Sequence, residues 1–458
     1  MAFENEFASY RPLARVLDDK KLDALKDRMS VHPMGDADAS HYPNFIDINS
    51  LTPSGWKPNM VLAIDGSNTS VPINNGFPGA EIGYVTTASV LILMDKVRRV
   101  EKSQFIDPKA FRETEKASTF DSMYPGCNMI IDNEQSARCS LRKLVFEQLS
   151  SSPPVFSDFE SLLDTYEVLL GHRLQGGVKL PAHQLEELED TDEMEFGHGA
   201  FKCTKIGYED RWLYSTDALR FHELLNNSGS SGELFGQISF VLERLWLVHI
   251  LRAFEHKKWL HTLKDVVFVL DGSLAVYSVS AWLSTAIKNE LQRINVAQKQ
   301  INGIDLAIIG VEKTGRFVEH FDLIDTALTG EKGIFPNRSA LLLDDGYIKR
   351  NIIFSKSTRQ YGQQTYFGRK FFYKTANGYR LVVQTPYLAD EHSNLLTATP
   401  EQFPRLHDIC ELLDQLVSNR YPNSISPLIS AHAEAAIPLS LGNKLFEEIA
   451  NEIKKRGQ

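Results

Sequence analysis

Two stretches of the chain lead an apolar run into the same three residues. Met60 to Ile64 runs into Asp65, Gly66 and Ser67, and Val266 to Leu270 runs into Asp271, Gly272 and Ser273. Short apolar runs of this kind read as buried strands, and the glycine after each aspartate permits a sharp turn. Each carboxylate is therefore expected at a strand end, held on a rigid element. Two such strands lying side by side bring two carboxylates close together. Carboxylates that close resist joint ionisation unless a cation lies between them. A hard divalent ion, Mg²⁺ or Mn²⁺, suits a site made of oxygen ligands. A single Asp-Gly is only a turn signal; repetition of the whole strand-Asp-Gly-Ser unit carries the reading.

Three more residues join this pair. Glu243 has Ser239, Phe240, Trp246 and Leu247 three and four positions away. On a helix these form an apolar stripe, where an ionised Glu is costly unless it is paired or bound to metal. Glu255 is the alternative helix-borne acid, but its neighbours Arg252 and Lys258 offer it a surface ion pair. His432 stands among small residues in Ser430-Ala-His-Ala-Glu-Ala-Ala436. Those neighbours allow close approach to a strand, and a neutral imidazole can ligate a metal or take a proton from water. Lys313 follows the run Ile308 to Val311 and offers a point charge for a phosphate, or simply a solvated strand end.

The elements that must position these residues follow from periodicity and punctuation. Residues 1–57 read as a peripheral segment with a helix over Leu17–Met29, and Pro43, Pro53 and Pro58 precede the first strand. Met60–Ile64 and Ile82–Met94, joined through a Gly/Pro/Asn-rich turn, form an expected hairpin. Residues 101–235 read as an insertion, with a solvated acidic run over Glu186–Glu195 and a linker over Asn226–Gly232. A long helix over Glu233–Leu263, a strand over Val266–Leu270, a helix over Ala281–Gln300 and a strand over Leu306–Val311 follow. Strand-rich sequence fills 339–388. Ser426-Pro427 opens a short helix that Pro438 ends, with Ser426 as the expected cap, and residues 441–458 form a last helix.

With 458 residues, 43% hydrophobic and 24% charged, the chain has the composition of an ordinary globular protein. Its four cysteines, Cys127, Cys139, Cys203 and Cys410, include no Cys-x-x-Cys pair, which argues against a zinc ribbon and fits a reducing compartment. The N-terminus has no apolar leader and no segment reads as a membrane span of roughly 20 residues, so a cytoplasmic protein is expected. A net charge of −10 excludes a generally basic nucleic-acid coat. Positive charge is nevertheless concentrated: Gly346 to Ala389 contains no acid, and it carries Lys349, Arg350, Arg369, Lys370 and Lys374 interleaved with aromatics. Basic side chains track phosphates and aromatic rings stack on unpaired bases, so these five are the candidate DNA contacts.

The motif order resembles the NurA nuclease family. The resemblance rests on Ala63–Ser67, the helix bearing Leu242-Glu243, Val269–Leu274, Ile309–Lys313 and Ala431-His432, and it spans about 58–440. It implies a ribonuclease-H-like mixed β-sheet core flanked by helices, making the α/β nuclease domain 58–440 with 101–235 inserted in it. It also implies a Mn²⁺- or Mg²⁺-dependent deoxyribonuclease, a homodimer that works with a HerA-like hexameric ATPase in DNA end processing or anti-phage defence. Asp65, Glu243, Asp271 and His432 then fall on the family's metal-site positions. Two rivals remain from the sequence. An actin- or sugar-kinase-like ATP-binding protein also uses paired strand-Asp-Gly turns, and an inactive scaffold docked on an ATPase ring needs no chemistry at all.

Overall fold

The computed structural model describes residues 20–29, 39–73, 79–95, 115–152, 158–175, 197–204, 209–226, 229–326, 333–417 and 425–436, with a few shorter pieces. The acidic run Glu186–Glu195, the start of the leader helix at Leu17 and most of 441–458 lie outside them. The elements run α1 (Lys20–Lys26), β1 (Phe45–Asp47), β2 (Met60–Pro72), β3 (Glu81–Leu93), β4 (Glu115–Pro125), α2 (Ala137–Ser150), α3 (Leu162–Gln175), β5 (Ala200–Lys202) and β6 (Trp212–Tyr214). Then come α4 (Gly232–His256), β7 (Val266–Asp271), α5 (Leu283–Asn302), β8 (Ala307–Glu312), α6 (Arg316–Thr326), β9 (Ser339–Leu342), α7 (Asp345–Asn351), β10 (Gly368–Lys374), β11 (Arg380–Pro386), α8 (Leu406–Leu416) and α9 (Ser426–Ala435).

A nine-stranded mixed sheet organises the molecule, in the order β1-β9-β10-β11-β8-β7-β2-β3-β4. Only β2–β7 and β7–β8 are parallel; the remaining pairs are antiparallel. Strands at this centre are covered on both faces, so β7 reads Val-Val-Phe-Val-Leu with no polar alternation, every one of the five at 0 or 1% exposure. Leu62, Ile64, Phe268, Leu270 and Ile308 face α2, α3, α4 and α5 in one core. Val61, Ala63, Val267, Val269, Ile309 and Val311 face α8 and α9 in another. A third cluster packs α6 and α7 on Leu341, Phe372 and Val382.

Several expectations are refined. The strand through Asp65 does not stop there, because β2 continues through Asp65, Gly66 and Ser67 to Pro72, paired with β3 along its whole length. What ends at Ile64 is the pairing with β7. Within 101–235, β4 is an edge strand of the main sheet, and α2 and α3 share the core of α4. The helix expected over Glu233–Leu263 is α4, which stops at His256 before a 3₁₀ turn over Leu260–Asp265. By length and apolarity alone α4 would suffice to cross a bilayer, yet most of it is buried inside the protein. Ser426 is the first residue of α9 and Ile425 its N-cap, so the serine does not act as the expected cap.

Candidate active site

Strand parity and register bring the two aspartates together. Side chains alternate across a strand, so Asp65 lies on the face of Val61 and Ala63, and Asp271 on the face of Val267 and Val269. Ile64 is in parallel register with Leu270, which makes Asp65 and Asp271 the next residues on neighbouring strands. Neighbouring strands are about 4.8 Å apart. After Asp271 the chain turns through Gly272 at φ +81°, a backbone conformation that glycine adopts freely. The turn is pinned by Gly272 N–H donating to Val311 O at 2.8 Å.

Glu243 reaches the same place from the opposite face of the sheet. It sits on the buried stripe of α4 at 7% exposure, beside Asp65 at 4%. Gly66 makes the approach possible: a Cβ there would lie 2.5 Å from Glu243 Oε1 and 2.8 Å from Ser239 Oγ. Glu255 lies three turns further along α4, ion-paired with Arg293 at 2.5 Å, and takes no part in the site. The neighbouring Arg244 is fully buried. Its guanidinium pairs with the Glu243 carboxylate and donates to Asp271 O at 3.2 Å and Ser273 O at 2.9 Å. One residue thus ties the helix acid to the turn that carries Asp271. Sequence reasoning did not name Arg244, although an arginine directly after a glutamate inside the otherwise apolar run Phe240–Val248 was a visible signal.

Lys313 and His432 complete the cluster. Lys313 Nζ donates to Asp271 Oδ2 at 2.6 Å, because it follows β8 on the same sheet face as Asp271. His432 Nδ1 lies 3.0 Å from Asp65 Oδ2, and the imidazole is 62% exposed. Ala431 is buried against the sheet, and Ser430 and Ala435 let α9 sit close enough to β2 for that contact. Burial first, and then the Asp271 charge, push the Asp65 carboxyl up to about 6. Burial, with Asp65 and Asp271 adding to it, pushes Glu243 up to about 8 despite Arg244. The three acids are close enough to repel one another.

Among the described residues, no three His, Cys, Asp or Glu side chains form a ready-made metal cage. Lys313, Arg244 and His432 instead each cap one carboxylate. The donor chemistry nevertheless fits a hard divalent cation: three repelling carboxylates, one imidazole, and a glycine that keeps the gap between β2 and α4 clear of a side chain.

A cleft of about 750 Å³ adjoins this cluster, lined by Asp271, Lys313 and His432 together with Glu312, Tyr277, Tyr361 and Tyr366. It lies outside the carboxyl ends of the parallel strands β7 and β8, the usual ligand crevice of such sheets.

The five basic residues expected to contact DNA divide. Arg369 is 2% exposed, its guanidinium spent on the carbonyls of His392, Asn394 and Thr397. Lys374 is 3% exposed and pairs with the buried Asp325 at 2.8 Å. Both are interior residues and present nothing to a phosphate backbone. Lys370 lines the cleft but is paired with Glu312. Lys349 binds Asp345 at 2.7 Å and the carbonyls of Ser357 and Arg359. Arg350 alone of the five is exposed.

Comparison with known proteins bears on the whole arrangement. Residues 60–437 match the model of the NurA domain. No curated protein matches the chain. Among solved structures, the NurA nuclease from Sulfolobus solfataricus is 9% identical, with 98% of this chain and 97% of that one covered and a TM-score of 0.31. A second structure of NurA is 10% identical, with 97% and 98% covered and a TM-score of 0.28. Scores that low carry no argument, and the assignment rests on the family match, which spans every residue of the cluster. The chain belongs to the NurA family of nucleases.

Proposed function

We propose that this chain is a Mn²⁺- or Mg²⁺-dependent deoxyribonuclease whose cation is held by Asp65, Glu243, Asp271 and His432. The observation that carries the reading is the convergence of Asp65 and Asp271 on adjacent parallel strands, with Glu243 entering through the gap left by Gly66. The five consecutive strands β4-β3-β2-β7-β8 at one side of the sheet, with α4 and α5 in the crossovers, support a ribonuclease-H-like core. Family membership supports a homodimer working with a HerA-like hexameric ATPase on DNA ends, in repair or in defence against phage.

A bound divalent ion would supply Lewis-acid charge and a water of lowered pKa. The chain's own residues supply the rest. Arg244 fixes Glu243 relative to the Asp271 turn, so both acids stay placed when substrate enters. Asp65 orients the His432 ring through Nδ1, leaving Nε2 as the nitrogen that would hold the ion. Lys313, at the mouth of the cleft, offsets charge that builds on the scissile phosphate.

Against the kinase-like alternative, Asp65-Gly66-Ser67 stays in an extended, fully paired strand and does not form a phosphate-cradling turn. The test is cleavage of labelled single- and double-stranded DNA with Mn²⁺, with Mg²⁺ and with chelator. Asp65→Asn and Asp271→Asn should each lower the rate roughly 100-fold or more. Undiminished cleavage by a folded variant removes that aspartate from the chemistry. No cleavage by wild type under any metal supports the scaffold reading.

A further inference from the structure

We propose that Phe354 is a wedge for duplex DNA, whose ring stacks on the last base pair of a blunt end outside the cleft. This rests on the nuclease reading above and specifies how the chain engages base-paired ends. Phe354 is 63% exposed, and its backbone takes φ +46°. A single exposed apolar side chain is ordinary on a protein surface. A bulky aromatic residue in the left-handed region is not, and strain of this kind persists only where the surroundings over-determine it.

The surroundings do so here. Ser355 N–H donates back to Lys349 O at 3.1 Å, which closes the turn at the end of α7. Lys349, itself paired with Asp345 at 2.7 Å, donates through Nζ to Ser357 O at 2.9 Å and to Arg359 O at 2.5 Å. Asp345 in turn accepts from Tyr361 N–H at 2.5 Å. Two side chains of α7 thus gather the whole segment 355–361, and no glycine stands between Tyr347 and Tyr361 to loosen it. Lys349 is therefore a positioning residue for the loop that carries the ring.

The neighbours identify the occupant. Ile353, the residue before the ring, and Tyr361, at the far end of the segment, both line the cleft, so Phe354 stands beside its rim. Ser355, Lys356, Ser357, Thr358 and Arg359 follow it, with Lys356 and Arg359 exposed. One ring among hydroxyls and cations is not the contiguous apolar face that a protein partner covers. It matches the end of a duplex, where a flat apolar base pair is bordered by two phosphate chains. Apolar side chains used in this way unstack and open base steps. The phenyl ring carries no hydrogen-bonding group, so its stacking is indifferent to base identity.

The test uses the full chain in chelator and two labelled DNAs of the same sequence, a hairpin with one blunt end and a closed dumbbell with none. Wild type should bind the hairpin roughly 5- to 150-fold more tightly, the range of one base–aromatic stack. Phe354→Ala should bring the two affinities together, and Phe354→Trp, which keeps a ring, should retain the difference. Phe354→Gly should lose the preference and stay folded, because glycine adopts this φ without strain. Equal binding of the two DNAs by wild type, binding of neither, or a preference that survives in Phe354→Ala overturns the wedge. Binding is read without cation, so a wild type that fails to cleave DNA with Mn²⁺ counts against the nuclease reading and leaves this result unchanged.

Discussion

At Asp65 and Glu243 the protein holds protons at a pH where free carboxyls have lost them, because burial and mutual repulsion penalise the charged form. Both groups have a folded-state pKa above the unfolded one. Their contribution to stability is therefore complete below about pH 4 and is lost as pH rises through 6 and then 8. In chelator, the melting temperature of wild type should fall across pH 5 to 9, and Glu243→Gln should flatten the upper part of that fall. A wild-type melting temperature that rises over this range contradicts the placement of these acids. Cation binding must displace the same protons, so Mn²⁺ should raise the melting temperature more at pH 8 than at pH 6. Gly66 gives a second prediction at this scale. In Gly66→Ala the new Cβ meets Glu243 Oε1 and Cγ, which are movable side-chain atoms, so the fold should survive while Glu243 shifts. Cleavage should drop about 100-fold with an unchanged circular-dichroism spectrum.

At the scale of elements, α4 is the member whose loss of order would undo the site. Arg244 is fully buried and satisfies Glu243 and two carbonyls at once. Removing it in Arg244→Ala takes the donor away from Glu243 and two buried carbonyls and should cost roughly 1–3 kcal/mol in chemical denaturation, whereas a cost under about 0.5 kcal/mol would show that the pair does not hold the helix to the turn. The sequence made β7, β8 and the axis of α4 legible, because long apolar runs at strand length and helical spacing have few other readings. Asp65 in mid-strand was not legible, because Asp-Gly is a turn signal locally and only the distant partner β3 keeps the chain extended past it. The basic stretch misled in the same way. Counting charge within 346–389 could not reveal that Lys374 and Lys370 find their acids, Asp325 and Glu312, on α6 and β8.

Over the whole molecule, a net charge of −10 coexists with exposed positive charge on Arg316, which lines the cleft, and on Arg350, Lys356 and Arg359, while Arg369 and Lys374 are locked inside. Alanine at Lys356 or Arg359 should weaken DNA binding evenly across sequences and reduce the salt slope by about 1 each. Alanine at Lys374 should instead lower stability, with the salt slope unchanged. An equal effect on the slope from Lys374 would mean that the interior placement does not govern binding. The layered architecture explains the division: helices cover both faces of the sheet among the described residues, and the cleft at the carboxyl edge of β7 and β8, lined from α4 and α6, is open to a strand of DNA.

One experiment bears most directly on the shared cation. Mn²⁺ is titrated into the wild-type chain, Asp65→Asn and Asp271→Asn, with binding heat and DNA cleavage followed in parallel. Wild type should bind Mn²⁺ and cut DNA only when it is bound, and each single substitution should abolish both together. Tight Mn²⁺ binding retained in both variants, or wild-type cleavage that persists in chelator, would show that the two aspartates do not hold a common ion.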